Sequence, residues 1–111
     1  MVESNGSLDL LFAALADTTR REILAQVAEV GRSISEIAEH YKLTFAAISK
    51  HILVLERANL VVKHRRGKEQ VVTMVPRTLG IAQAHIARYA QIWGDRFDQL
   101  EDVLKEDSSH E

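Results

Sequence analysis

The residues of this chain that could do chemistry are cations gathered in one stretch. Between His40 and Gln70 lie Lys42, Lys50, Arg57, Lys63, Arg65, Arg66 and Lys68, against only Glu56 and Glu69. That stretch carries +5 in a 111-residue chain of formal net charge −2, so the remainder carries −7. Such segregation fits a polyanion-binding face or a solvated surface loop, and charge alone does not separate the two. Zinc needs about four well-placed ligands, and His40, His51, His64 and His110 lack the spacing to supply them. With no cysteine, disulfides, thiolate metal sites and thiol redox switches are excluded. No glycine-rich phosphate loop, nucleophile elbow or zinc-hydrolase motif occurs, so no enzyme activity and no cofactor are expected.

The elements that position these cations follow from composition and periodicity. Hydrophobic residues make up 46% and charged residues 27%, the balance of a globular chain with one core. Residues 1–111 read as a single domain without repeats or linkers. The start, Met1 to Ser7, lacks a signal-peptide pattern, and a cytoplasmic location is expected. Ser4–Ser7 and Asp107–Glu111 read as frayed ends.

Leu8, Leu11, Phe12 and Leu15 form one stripe, which predicts a first helix over Leu8–Ala16. Asp17 can cap the next helix, and Thr19-Arg20-Arg21-Glu22 also fits a capping box. That helix carries Ile23, Leu24, Val27 and Val30, with Gly31 as its stop. Ser33-Ile34-Ser35-Glu36 is another capping box, opening a short helix with Ile34, Ile37 and Ala38 inward. Lys42-Leu43 makes a tight turn. Thr44 caps a helix from Phe45 to Ala58 that turns Ile48, Ile52 and Leu55 inward. The period then changes to strands at Leu60–His64 and Glu69–Val75, around a glycine turn at Arg65-Arg66-Gly67-Lys68.

A last helix spans about 77–105, with Leu79, Ala82, Ile86, Ala90, Trp93, Phe97, Leu100 and Leu104 at steps of three and four. At 1.5 Å per residue it is ~40 Å long. That is longer than three short helices can cover, so the seam is expected to pair with a second copy of the chain. Asp95, Asp98, Glu101 and Asp102 read as a solvated acidic face.

Two helices joined by a tight turn and followed by a basic hairpin make a winged helix-turn-helix. The expected fold is therefore mainly α with a small β-hairpin, in the order α-α-α-α-β-β-α. Its physical logic suits duplex DNA. The major groove admits one helix, residues at that helix's N-terminal end reach base edges, and hairpin cations meet phosphates.

The stretch Leu15-Ala16-Asp17-Thr18-Thr19-Arg20-Arg21-Glu22-Ile23-Leu24 resembles the opening motif of the ArsR/SmtB (arsenic-repressor-type) family. Leu43 to Leu55 resembles its recognition helix, Glu56 to Val61 the segment after it, and Arg65-Arg66-Gly67-Lys68 its wing. The resemblance covers about Leu8 to Leu104. It implies a homodimeric transcriptional repressor on a palindromic operator, paired through its first and last helices. The implied dimer residues are Leu8, Leu11, Phe12, Ile86, Ala90, Trp93, Phe97 and Leu100. The implied DNA-facing residues are Thr44, Phe45, Ala46, Ser49, Lys50 and His51 on the helix, with Arg65, Arg66 and Lys68 on the wing.

Two positions depart from the family pattern. Phe45 stands where glutamine is frequent and Ala46 where proline is. The first change removes an adenine reader and offers either contact with thymine methyls or burial against a neighbouring helix. Arg20 and Arg21 fit contacts with the DNA backbone or pairing with Glu22 or another acid. The family's interhelical metal sites use Asp-x-His and His-x-x-Glu/His groups, whereas Gln83-Ala84-His85-Ile86-Ala87-Arg88 lacks both acids, so no metal is expected. Two alternatives stand beside DNA binding: a protein-interaction module, and a small-ligand sensor with its pocket at the dimer seam near Trp93 and Phe97.

Overall fold

Short capped helices and a β-branched hairpin, read from sequence as a winged arrangement, take that arrangement in the computed structural model, which describes residues 2–109. The elements are α1 (Val2–Leu15), α2 (Thr18–Val27), β1 (Arg32–Ser33), α3 (Ile34–Tyr41), α4 (Phe45–Arg57), β2 (Val61–Arg66), β3 (Glu69–Met74) and α5 (Pro76–Ser109). The residues divide between Leu79 and Gly80 into two units. His110 lies outside the described residues.

The first unit is organised by its caps. Asp17 accepts the amide of Arg20 at 3.0 Å and so starts α2. The arginines that follow pair with no acid among the described residues and bond to the chain's own carbonyls. Arg20 donates from Nε to the Ala14 carbonyl at 2.8 Å and from its guanidinium to Ala13 at 3.0 Å. Arg21 donates to the Leu15 carbonyl at 2.7 Å. Both arginines thus satisfy orphan carbonyls at the end of α1, where cations also suit the helix dipole. The Asp-Thr-Thr-Arg-Arg run is therefore a corner joining two helices. Asp17, not Thr19, is the cap.

Ser33 closes a full capping box with Glu36, accepting the Glu36 amide at 3.1 Å while the Glu36 carboxylate accepts the Ser33 amide at 3.4 Å. Ser33 is also a strand residue. Arg32 and Ser33 pair antiparallel with Val72 and Val71, so the expected hairpin is a three-stranded sheet in the order β1-β3-β2. A two-residue strand has no periodicity to read.

Gly31 does not stop α2. That helix ends at Val27, and Val30 is exposed. Glycine is needed at Gly31 for space: a Cβ there would sit 2.8 Å from Thr73 Cγ2 and 3.0 Å from Val71 Cγ1.

The core of this unit gathers Ile23, Ile37, Ile48, Ile52, Leu55, Leu60, Val61, Val71 and Val72, all fully buried. Leu11 and Ala14 seat α1 in the same core. Asn59, at φ 59°, supplies the left-handed residue that ends α4, and Leu60 donates back to the Leu55 carbonyl at 3.0 Å. Thr78 donates its hydroxyl to the Asn59 carbonyl.

The second unit is the continuation of α5. The full helix has 34 residues, about 50 Å, and its side chains from Ile86 to Lys105 are all exposed. Both termini are more regular than expected. α1 begins at Val2 and α5 reaches Ser109, through segments read as frayed.

Candidate nucleic-acid interface

The turn before α4 is built by backbone chemistry. Lys42 adopts the left-handed conformation at φ 56° and ends α3, with Leu43 donating to the Ala38 carbonyl at 3.1 Å. Thr44 then reverses the chain and caps α4, its hydroxyl accepting the Ala47 amide at 3.1 Å. With Ile48, Ile52 and Leu55 at 0% exposure, α4 is held by one face. Its N-terminal end and opposite face remain open.

That open surface carries Thr44, Phe45, Ala46 and Lys50, all exposed, with Ser49 half-buried beside them. Phe45 is 54% exposed, which excludes its burial against a neighbouring helix. Arg57 and Leu53 are exposed on the same side of α4. Arg57 was counted in the basic stretch but, like Leu53, was not placed in the DNA-facing set, although a 3.6-residue period puts both on the face of Ala46 and Lys50.

His51 occupies a different environment. It is half-buried, with Nδ1 3.9 Å from the Asp17 carboxylate, a long contact that joins α4 to the cap of α2. The Asp17 carboxyl is held below its ordinary value of 3.8, first by the Arg20 amide, with the Arg20 and His51 charges adding to it. His51 therefore faces the protein's own scaffold, unlike the outward-facing Lys50.

The wing differs from the expected turn in one respect. Arg65 and Arg66 belong to β2, paired with Gln70 and Glu69, so the turn is only Gly67-Lys68. Gly67 has φ 65° and leads a two-residue hairpin, as a type II′ turn requires. Successive strand residues face opposite ways, so Arg65 and Arg66 flank the ribbon and Lys68 sits at its tip. All three are exposed, and Arg65 donates to the Gly67 carbonyl at 3.3 Å. Lys63 is the cation that the protein neutralises itself, by Glu56 at 3.4 Å. Among the described residues, Lys42, Lys50, Arg57, Arg65, Arg66 and Lys68 form no ion pair.

The expected dimer residues separate in the same way. Leu11 is 3% exposed, buried in the core where it seats α1. Leu8 and Phe12 are half-buried. Ile86, Ala90, Trp93, Phe97 and Leu100 are exposed on α5, with the Trp93 and Phe97 rings meeting edge-on at 5.5 Å. The same stretch also exposes Tyr89, Ile92, Val103 and Leu104. Among the described residues no group of three or more histidines or carboxylates could hold a metal.

A short helix, a tight turn, a second helix with an open N-terminal end, and an adjoining basic hairpin define a winged helix-turn-helix regulatory protein. Residues 17–63 match the bacterial regulatory protein arsR family. The chain is 40% identical over 74 residues to the uncharacterized HTH-type transcriptional regulator YuzN of Bacillus subtilis, covering 60% of this chain and 80% of that protein. It is 34% identical over 58 residues to the transcriptional repressor SdpR of the same organism, covering 52% and 64%. Its fold matches an ArsR-like transcriptional regulator from Rhodococcus sp. RHA1 with TM-score 0.81 and 26% identity, over 96% of this chain and 97% of that one. A homodimeric winged helix-turn-helix DNA-binding domain from Mycobacterium bovis, Mb0332, matches with TM-score 0.66 and 21% identity, over 85% and 83%. The chain belongs to the arsR family of bacterial regulatory proteins.

Proposed function

We propose that this protein is a homodimeric, sequence-specific DNA-binding repressor that places α4 in the major groove and its wing against the backbone. The observation that carries this is the open end of α4, with Lys50 exposed and unpaired, followed by exposed Arg65, Arg66 and Lys68. Thr44, Phe45, Ala46, Ser49 and Lys50 are assigned to the groove, and the three wing cations to phosphates. His51 is assigned to holding α4 against Asp17.

Homodimerisation is assigned to the apolar stripe of α5. The side chains of Ile86, Trp93, Phe97 and Leu100 are at least half exposed, a surface that a monomer rarely leaves in water. Leu8 and Phe12 are assigned to the same interface. Two copies would set two α4 helices on half-sites ~34–36 Å apart, so the operator is expected to be an imperfect palindrome. Repression would then follow from occupying a promoter; the relative SdpR is named a transcriptional repressor. We assign the protein to the cytoplasm and to no enzyme class.

Within one chain the hollow beside Trp93, lined by Tyr89, Ile92, Trp93 and Arg96, measures about 150 Å³, below the ~300–1,000 Å³ of small-molecule sites, so a ligand sensor would need a second copy to complete its pocket.

The test is a mobility-shift titration on fragments upstream of the protein's own gene, with the mass of the complex measured. Two chains per palindromic site are expected, with weaker binding by Lys50→Ala. Absence of binding at low salt would favour the protein-interaction alternative.

A further inference from the structure

We infer that Phe45 determines sequence preference, by packing its ring on a thymine methyl group in each half-site, while Lys50 takes guanine. The inference rests on the DNA-binding reading and names the bases that α4 selects.

The argument is one of elimination at the open end of α4. Ile48 is buried and Ala47 half-buried. The Thr44 hydroxyl is engaged as the cap of α4, accepting the Ala47 amide at 3.1 Å, and Ser49 is half-buried. The exposed side chains there that no such bond engages are Phe45, Ala46 and Lys50. None of the three carries a hydrogen-bond acceptor.

The major-groove edges of cytosine and adenine present amino donors, which this trio cannot accept. Guanine presents only acceptors, N7 and O6, which suit an ammonium group. Thymine presents the one apolar group in the groove, its C5-methyl. A cation and two apolar groups are therefore matched by guanine and thymine.

Position favours Phe45 over Ala46 as the methyl contact. Phe45 is the first residue of α4. Helical side chains lean toward the helix N-terminus, so its ring projects past the helix end, where base edges are reached. Its 54% exposure leaves the ring face free. Leu43, exposed on the turn just before, extends the apolar surface. The unpaired cations Lys50, Arg57, Arg65, Arg66 and Lys68 make duplex DNA the occupant, because an apolar protein partner would leave their charge unanswered.

The experiment starts from the duplex that the intact protein selects from a randomised pool. Each thymine of that site is then replaced by deoxyuridine, which removes the methyl and nothing else. For the wild type, one symmetry-related pair of positions is expected to weaken binding about fourfold per half-site, the effect of one buried methyl group. Phe45→Ala should bind thymine and uracil duplexes equally, and Phe45→Leu should keep part of the discrimination. Helical content by circular dichroism should be unchanged in both. Replacing the same thymine by 5-methylcytosine should cost less than replacing it by cytosine. Binding with no uracil-sensitive position, or an undiminished uracil penalty in Phe45→Ala, would overturn the assignment of Phe45 alone. Failure of the protein to select any duplex would overturn the DNA-binding reading and this inference with it.

Discussion

Helices α4 and α5 are both amphipathic, yet they meet water in opposite ways. α4 hides Ile48, Ile52 and Leu55 completely, whereas α5 leaves Trp93 63% exposed and Ile86, Phe97 and Leu100 at 50–55%. An apolar stripe covered by its own chain fixes a helix within the protomer. An apolar stripe left bare needs something else to cover it. On the proposed reading, α4 is set by folding and the last helix by association. The two should therefore fail separately.

The largest effect is expected from the buried stripe. Ile52→Ala should lose about 2–5 kcal/mol, enough to unfold much of a domain this small, measured by urea denaturation followed by circular dichroism. The matching change on α5, Trp93→Glu with Phe97→Glu, should leave the first unit folded and give a monomer in sedimentation experiments. A folded dimer in that variant would break the comparison.

Next in size is the close approach at Gly31. Gly31→Ala forces a methyl into Thr73 and Val71 and should destabilise by about 1–3 kcal/mol, as overpacking does. Ser33→Ala removes the capping hydroxyl of α3 and should cost about 1 kcal/mol. Both are read as shifts in the denaturation midpoint. Neither should change the stoichiometry of a dimer held through α5.

The smallest effect concerns the corner that supports α4. The Asp17 carboxyl is depressed below its ordinary value of 3.8, mainly by the Arg20 amide. A depressed carboxyl stabilises the fold above its unfolded value and loses that contribution as pH falls through the folded one. Stability should therefore decline below about pH 4 more steeply in the wild type than in Asp17→Asn, which keeps a capping oxygen but does not titrate. Parallel pH profiles would show that the carboxylate charge contributes nothing there.

How much of this was legible in the sequence depended on whether the signal was local. The caps at Asp17, Ser33 and Thr44 lie within three residues of the amides they hold, and each was readable. The inward faces of α3 and α4 followed from their period. β1 was not readable, because its two residues pair with Val71 and Val72, far along the chain. The work of Arg20 and Arg21 was missed for a similar reason, since their partners are carbonyls six and seven residues back. Gly31 was visible as a glycine, but crowding against β3 explains it and helix termination does not. At the candidate interface, charge marked a stretch whose cations are exposed in the structure. It could not show that Lys63 is neutralised by Glu56, that His51 faces Asp17, or that Phe45 is open.

The salt dependence of binding tests the central claim most directly, because it counts the phosphates assigned to the wing. On the selected duplex, log Kd should vary linearly with log salt, and each cation removed should lower the slope by about 0.9 per phosphate contact. Arg65→Ala and Arg66→Ala should each weaken binding and flatten that slope, twice over in a symmetric dimer. Unchanged affinity and unchanged slope in both variants would contradict the assigned face.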